Sequence, residues 1–342
     1  MNSINYRMER HAGNSVPIPR IPVAHYRFSF KCDTFPPDNQ YLGSAWRGAL
    51  GHALRRTVCV TGLPECDACL LYRSCSYPYL FETPPPVQTQ KMRRYTAAPH
   101  PFIIVLPPSG MDRDDTGDWL LELVLIGHAA NQQLAYLIHA LKEAGRQGIT
   151  SARLKMELTG VAQAVALPPR NYHTIYQAPE GHLEPLPITA PECPPVRDIV
   201  HLQLHTPFRF KKAGNLVTAE TLGFPDLFGA LLRRISMLSY FHTDTPFEID
   251  FRRLIAATRH VETVSKELRW HDWTRYSTRQ RTTMQLGGVV GTIIFRGPEM
   301  EQFWPCLWAG QWLHAGKATS MGLGRYTIQE TASLPERTAA VR

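Results

Sequence analysis

The order of extended and helical patterns constrains the fold of this chain most. In the first half, apolar spacing predicts strand, helix, strand, strand, helix, strand over residues 25–30, 42–56, 102–106, 119–126, 128–144 and 152–158. The same order recurs, without sequence identity, over residues 198–205, 224–242, 259–277, 286–296, 299–313 and 319–329. This order is typical of the ferredoxin-like fold. The sequence therefore predicts an α+β protein of two tandem ferredoxin-like domains.

Polar and proline-rich segments set the predicted domain boundaries. The 342 residues divide into an arm at 1–22, a first domain at 23–165, a proline-rich linker at 166–197, a second domain at 198–330 and a tail at 331–342. A chain of this length most often holds two domains. A cysteine-rich insertion at 59–75 interrupts the first domain after its first helix.

The chain is basic, with a net charge of +8 and a pI near 9.2. Such a balance favours an anionic partner, of which nucleic acid is the commonest. The sequence contains no apolar run of the ~18 residues that a membrane-spanning helix needs, and its first residues lack the apolar core of a signal peptide. We therefore expect a cytoplasmic protein with no membrane partner.

A glycine-rich stretch lies near the C-terminus, at residues 314–326. It contains three glycines, two cations and a histidine, namely His314, Gly316, Lys317, Gly322, Gly324 and Arg325. Glycines permit positive φ angles and close approach of a ligand, and amides beside cations suit a phosphate backbone. The stretch lacks the G-x-x-x-x-G-K-[ST] pattern of a P-loop. An ordinary glycine-rich turn between a helix and a strand is the alternative.

Four cysteines fall within seventeen residues, at Cys59, Cys66, Cys69 and Cys75. In a cytoplasmic chain they are more often thiols or metal ligands than disulfides. Four thiolates suit a closed tetrahedral zinc site with a structural role, and the central C-x2-C supplies its knuckle. An iron–sulfur cluster also uses four thiolates, and an unmetallated loop is the third alternative. The spacing favours structural zinc as the cofactor.

Arginines are interleaved with aromatic residues over residues 252–281. The cations singled out are Arg269, Arg275 and Arg279, and the aromatic residues are Trp270, Trp273 and Tyr276. Arginines contact phosphates and aromatic rings stack on bases, so the pattern predicts an RNA-binding surface. A solvated pair of strands with its aromatic side chains in the core is the alternative.

Several motifs together resemble a known family. They are residues 47–54, the cysteine run, and residues 206–211, 232–236, 273–277, 286–288 and 314–326. In combination they are similar to the CRISPR precursor-crRNA-processing endoribonuclease of the RAMP superfamily. The glycine-rich stretch alone implies only the superfamily, whereas the cysteine run and residues 273–288 indicate the processing nuclease.

The resemblance implies two ferredoxin-like (RRM-like) domains that bind CRISPR repeat RNA. It implies one cut, made without a metal ion, that leaves a 2′,3′-cyclic phosphate and a 5′-hydroxyl. It also implies that the enzyme stays on the crRNA in an interference complex with other Cas subunits. A non-catalytic crRNA-binding RAMP subunit is the first alternative. A zinc-stabilised nucleic-acid-binding protein unrelated to CRISPR is the second.

Cleavage by the RNA's own 2′-hydroxyl needs proton transfer and cations at the phosphate. On the polar face of the predicted helix 42–56, His52 has a suitable side chain for proton transfer, and Arg47 and Arg55 are candidate phosphate clamps. A solvated helix histidine is the alternative for His52. Tyr41, just before the helix, is a secondary catalytic candidate. The tyrosine, histidine and lysine of well-studied members do not carry over, because Arg47 or Gly48 stands near the tyrosine position.

Overall fold

The first half of the protein forms a five-stranded antiparallel sheet covered by helices. The computed structural model describes residues 17–34, 41–89, 97–108, 111–150, 152–179, 181–196, 198–277, 282–297 and 299–329. The elements of this half are β1 (Val23–Lys31), α1 (Gly43–Val58), β2 (Phe102–Val105), β3 (Trp119–Ile126), α2 (His128–Asn131), α3 (Leu134–Gln147), β4 (Glu157–Ala164) and β5 (Tyr172–Gln177). The strand order is β2-β3-β1-β4-β5. Its first four strands have the ferredoxin-like arrangement.

Two predictions for this half are wrong in position. The last strand was predicted at 152–158, but β4 begins at Glu157. A tight turn, closed by the bridge between Ile149 and Leu154, occupies the start of that range. The predicted linker 166–197 is not irregular throughout, because β5 lies inside it and pairs with β4 at the sheet edge. Only Ile175 of β5 is buried, which explains its weak apolar pattern.

The second half repeats the same topology. Its elements are β6 (Ile199–Phe208), β7 (Lys211–Lys212), β8 (Asn215–Leu216), α4 (Phe224–His242), α5 (Phe251–Ala257), β9 (Glu262–His271), β10 (Thr274–Ser277), β11 (Thr282–Gln285), β12 (Gly288–Arg296), α6 (Met300–Leu313) and β13 (Tyr326–Gln329). The main sheet has the order β13-β6-β12-β9, and β10 and β11 form a separate hairpin. The predicted pair of ferredoxin-like units is confirmed.

The buried strand β3 explains how the two halves are joined. All eight of its residues are buried, and alternate side chains point to opposite faces of a strand. Leu121 and Leu123 belong to a core that includes α1 and α3. Val124 and Ile126 belong to the core of the second half, with residues of β6, α4 and α6. The first sheet is therefore sandwiched between its own helices and the second half.

Among the described residues, no helix combines the length and apolar character that crossing a membrane requires.

Candidate functional site

A cavity of about 440 Å³ lies where the two halves meet. We call it the interdomain cavity, and it is lined by Arg47, Ala97–His100, Ala230, Arg233, Arg234, Met237, Gly316 and Ala318–Met321. Helix α1 and the segment before β2 supply one wall. Helix α4 and the glycine-rich stretch supply the other. The structure thus brings helix α1, helix α4 and the glycine-rich stretch to one groove.

Arg47 is fixed at the wall of this cavity by both halves of the protein. Its Nε donates a hydrogen bond to Ser320 Oγ at 3.1 Å, and its Nη2 lies 3.0 Å from His100 Nε2. Its guanidinium also lies 5.2 Å from the centre of the Phe81 ring. Phe81 comes this close to the helix because Gly51 has no side chain there, since a Cβ would lie 2.8 Å from the ring. Gly51 therefore serves protein packing.

His100 is held as a neutral acceptor toward Arg47. The Thr83 hydroxyl donates to Ala98 O at 2.7 Å, so it accepts from His100 Nδ1, 3.2 Å away. This bonding leaves the proton on Nδ1 and a lone pair on Nε2 for Arg47. Burial, followed by the charge of Arg47, lowers the pKa of His100 to about 3. At neutral pH this imidazole is therefore uncharged.

Arg234 lies on α4 with its guanidinium almost fully buried beside the cavity. The residue is 9% exposed, and its Nε donates to the carbonyl of Leu313. Burial lowers the pKa of Arg234 to about 9, which still leaves the side chain protonated at neutral pH. The neighbouring Arg233 is exposed and also lines the cavity. The cavity is therefore strongly cationic.

The glycines of the C-terminal stretch meet protein backbone rather than open space. Gly316 has φ +89°, and a Cβ there would lie 2.6 Å from Arg209 O. At Gly322 it would lie 2.5 Å from Ile104 O, and at Gly324 1.7 Å from Ala315 O. These glycines therefore have a packing reason to be glycine, and their contact with RNA stays a prediction. The adjacent Lys317 side chain is exposed, and its backbone amide donates to Arg209 O.

His314 and Arg325 occupy different surroundings at the two ends of the stretch. His314 is 1% exposed, and its Nδ1 lies 3.1 Å from Leu323 O. Burial and the charge of Arg325 lower the pKa of His314 well below its ordinary value. The prediction of an RNA contact by His314 is corrected, because its side chain is enclosed by protein. Arg325 is half-buried, and its Nη1 donates to Leu106 O at 3.4 Å.

Tyr41 connects the start of α1 to the glycine-rich stretch. Its hydroxyl donates to the carbonyl of Met321, and its ring stacks on Trp273 with 3.8 Å between centroids. Burial raises the pKa of Tyr41 strongly. In this arrangement the hydroxyl is bonded to protein and hard to ionise, so it does not have the properties of a general base.

His52 and Arg55 lie away from the interdomain cavity. His52 is exposed on α1, and five residues of α-helix place it about 140° around the axis from Arg47. Arg55 donates to the carbonyls of Leu63 and Pro64 at 2.6 Å each, so it holds the cysteine-rich segment. The predicted catalytic residues therefore divide between the cavity, the loop contact of Tyr41 and the outer face of α1.

The four predicted zinc ligands line a single small cavity, which Arg55 and Tyr77 also border. Within the described part of the chain, however, no three histidine, cysteine or acidic side chains converge closely enough to share a metal ion. Thr61 lies between two of the thiols, with its Oγ1 3.5 Å from Cys69 Sγ and 4.0 Å from Cys59 Sγ. In this arrangement the four thiols are not positioned as ligands of one metal ion, and structural zinc stays a prediction.

The predicted cationic surface is only partly described. Arg269 lies exposed on β9, beside Trp270, whose side chain is 38% exposed. Arg275 is on β10, and Arg279 lies outside the described residues. RNA binding by these arginines stays a prediction.

The sequence patterns predict no role for His100 or Arg234. One signal for Arg234 was present, because it stands three residues after Leu231 and four before Leu238, both buried. It therefore interrupts the apolar face of an amphipathic helix. His100 has no such pattern, because it lies in an irregular segment and is brought to α1 only by the tertiary structure.

Comparison with known protein families indicates the class of protein in which this site occurs. Residues 202–326 match the family model described as CRISPR-associated endoribonuclease Cas6. This part of the chain is similar to the Cas6 family. The match supports the predicted CRISPR-associated RAMP endoribonuclease. Residues 21–188 match a second family model, described only as an N-terminal domain.

One curated relative is an uncharacterized protein of Archaeoglobus fulgidus, 24% identical over 126 residues. The alignment covers 37% of this chain and 41% of the relative, so this chain spans less than half of that protein's length.

Solved structures share the fold. A Cas6 product complex superposes with a TM-score of 0.53 at 15% identity, over 90% of this chain and 100% of that one. Cas6 of Thermus thermophilus gives 0.50 at 14% identity, over 90% and 99%. A partial Cas6-RT-Cas1–Cas2 complex gives 0.51 at 12% identity, over 92% and 46%. At these identities the similarity establishes the fold.

Proposed function

We propose that this protein is a CRISPR repeat-RNA endoribonuclease that processes precursor crRNA across the interdomain cavity. One observation carries the proposal. In a chain with a Cas6 domain, three arginines and the glycine-rich stretch surround a cavity between the two ferredoxin-like units. Arginines are the side chains best suited to hold a phosphodiester by several hydrogen bonds.

The reaction uses a nucleophile that belongs to the RNA. The 2′-oxygen forms a bond to the adjacent phosphorus, and the bond from phosphorus to the 5′-oxygen breaks. The products are a 2′,3′-cyclic phosphate and a 5′-hydroxyl, after one proton leaves the 2′-hydroxyl and one reaches the 5′-oxygen. The cations of the cavity would stabilise the charge that develops on the phosphate. No step of this scheme requires a metal ion.

His52 is the proposed proton-transfer residue, and its position on the outer face of α1 constrains the path of the RNA. The strand must leave the cavity beside Arg47 and cross the outer face of α1. Gly48 supports such a path, because among the described residues no atom outside its own stretch of helix lies within 4 Å of the place where its Cβ would stand.

The test is cleavage of the cognate repeat RNA by the full chain in excess EDTA. We expect one cut, with a 3′ product end that resists a phosphatase until acid opens the cyclic phosphate. A repeat with a 2′-deoxyribose at the cut site is the matched control and should remain intact. Cleavage of this control, or loss of all cleavage in EDTA, would refute the mechanism.

A crRNA-binding subunit without nuclease activity is the second candidate. One observation about His100, the histidine that lines the cavity, favours this candidate. His100 has a pKa of about 3 and is bonded to Arg47. This imidazole is a poor proton donor at neutral pH. A gel shift with repeat RNA but no product over many hours would support the binder and exclude the enzyme.

We also propose that the protein works beside other Cas subunits. The support is the family assignment and the similar fold found in a solved structure described as a Cas6-RT-Cas1–Cas2 complex. Co-purification of crRNA and Cas proteins with the tagged chain from its own cells tests this proposal. Recovery of the chain alone after RNA-preserving purification would contradict it.

A further inference from the structure

We propose that Arg234, together with Arg47, forms a receptor for one phosphodiester group of the bound RNA inside the interdomain cavity. The inference deepens the proposed function and rests on it. It assigns a phosphate-binding role to a residue of α4, which lies in the second half of the chain.

The first support is that the charge of Arg234 is not balanced by protein. Among the described residues, its Nη2 has no hydrogen-bond partner. No described carboxylate lies within ion-pair distance of it, and its pKa reflects burial alone. A buried cation without a partner is costly, and buried charges are normally paired. An anion that enters the cavity, which Arg234 lines, would balance this charge.

The second support is that the titratable groups around Arg234 do not supply that anion either. His100, His242 and His314 all experience its charge. Burial is the main reason that the pKa of His100 falls to about 3 and that of His242 to about 4. His242 Nε2 is 2.7 Å from Pro99 O, and His314 Nδ1 is bonded to Leu323 O. These groups are neutral at pH 7, so the cavity keeps its positive charge.

The third support is the shape of the opposite wall. Arg47 is oriented by Ser320 on one side and by the lone pair of His100 on the other. Arg233 and Met237 complete the α4 side. The volume of about 440 Å³ lies within the range of pockets that enclose small ligands. A phosphodiester between Arg47 and Arg234 would receive charge-assisted hydrogen bonds from both halves of the protein.

The first experiment uses inorganic phosphate as the probe on the full chain. Melting temperature is measured against phosphate concentration, with sodium chloride added to keep ionic strength constant. We expect phosphate to raise the melting temperature of the wild type and Arg234→Lys to weaken phosphate affinity by about ten- to hundredfold, the loss expected for one charge-assisted hydrogen bond. Arg146→Lys, an exposed arginine on α3 paired with Glu143, is the control and should respond like the wild type.

A second variant keeps Arg234 and fills its site. Met237 follows Arg234 by three residues on α4 and lines the same cavity, so Met237→Glu places a carboxylate within reach of the guanidinium. We expect this internal anion to compete with RNA and to weaken repeat binding at least about tenfold more than Met237→Gln, which has the same length without the charge. This comparison holds even if Arg234→Lys does not fold.

The outcomes separate this inference from the proposed function. Phosphate stabilisation that is unchanged in Arg234→Lys, or equal RNA binding by the two Met237 variants, would overturn the receptor while cleavage by the wild type leaves the function standing. Phosphate binding that depends on Arg234, in a protein that binds the repeat without cutting it, would keep the receptor and remove the nuclease. Phosphate binding through Arg234 with RNA binding unaffected would show a site for a free anion and refute the RNA assignment.

Discussion

Arg47 and His52 lie five residues apart on α1 and have different proposed roles, phosphate binding and proton transfer. Arg47 is bonded to Ser320 and His100 inside the interdomain cavity. His52 is exposed on the outer face of α1. A cation that holds a phosphate contributes to binding and to rate, whereas a proton donor contributes mainly to the rate. Measurements on single variants therefore separate the two.

The first prediction concerns His52. We expect His52→Ala to slow single-turnover cleavage of the repeat by roughly 10²–10⁴-fold, the usual loss of a general acid or base, with RNA affinity near that of the wild type. His139→Ala, an exposed histidine on α3, is the matched control. Full activity of His52→Ala would remove this residue from the reaction.

The second prediction concerns the buried Glu122. Burial would raise its pKa, but His25, Arg325 and Arg27 outweigh this effect and hold the pKa at about 2. His25 Nε2 and Arg27 Nη2 lie 3.2 and 3.1 Å from its carboxylate oxygens. A carboxyl with a lowered pKa in the folded state stabilises the protein above its ordinary pKa near 4.5, and this contribution is lost as the pH falls from there toward 2.

The measurement is urea unfolding of Glu122→Gln and wild type from pH 7 to pH 3. We expect the variant to be less stable by on the order of 1–3 kcal/mol above pH 5, and the difference to shrink as the pH approaches 3. Glu143→Gln, at a more exposed ion pair, should show little of this dependence. A difference that is constant with pH would contradict the assignment.

In the glycine-rich stretch, backbone segments from separate parts of the chain pack closely against the glycines. Gly324 has φ +70°, and a Cβ there would overlap Ala315 O. At Gly48, in the middle of α1, the described residues leave open space instead. The packing of the fold therefore requires glycine at position 324. At position 48, glycine leaves a surface of α1 that RNA could approach.

The third prediction compares these two positions. Gly324→Ala should lower the free energy of unfolding by roughly 2 kcal/mol or more, because a left-handed conformation and a steric overlap both oppose the methyl group. Gly48→Ala should raise it by roughly 0.5–1 kcal/mol, the helix preference of alanine over glycine. Chemical denaturation of both variants measures the effects, and equal changes in the same direction would contradict the packing.

The fourth prediction concerns the cysteine-rich segment, where zinc remains a prediction. The four cysteines border one cavity, but their side chains do not converge, so metal binding would have to draw the segment together. Metal-bound thiolates couple binding to folding. We expect about one zinc per chain by elemental analysis and lower melting temperatures for Cys66→Ser and Cys69→Ser. Metal-free protein whose melting is unchanged by these substitutions would exclude the site.

At the scale of the whole molecule, the two ferredoxin-like units share apolar surface. Ile103 and Val105 of β2, like Val124 and Ile126 of β3, belong to the core of the second half. Separating the units would expose these side chains to water, at roughly 25 cal/mol for each Å². The interdomain cavity is therefore held between walls that are fixed to each other by this shared core.

The fifth prediction follows from the shared core. Urea unfolding should be a single transition, with coincident curves from circular dichroism and tryptophan fluorescence. Fluorescence reports on both halves, because Trp46 and Trp119 lie in the first and Trp304 and Trp312 in the second. Two separated transitions would show that the units unfold independently and that the cavity walls are not rigidly joined.

Local sequence patterns predict the type and order of the main strands and helices of the two ferredoxin-like units. The apolar runs of β3 and the spacing of α4 are strong local patterns, and both elements have the predicted bounds. The edge strand β5 was missed because an edge strand with one buried residue has almost no apolar alternation. The family resemblance rested on motifs that are local in the chain, so it too was readable without a structure.

Which residues face one another depends on the tertiary structure. His100 reaches Arg47 across 53 residues, and Ser320 reaches it across 273. The Nη2 of Arg234 lacks an acceptor among the described residues because packing buries it beside the cavity. Packing also encloses the side chain of His314, which removes it from the predicted RNA contacts. Periodicity assigns a side chain to a face of its own element, whereas a binding site depends on distances between elements, which are fixed by packing of the whole chain.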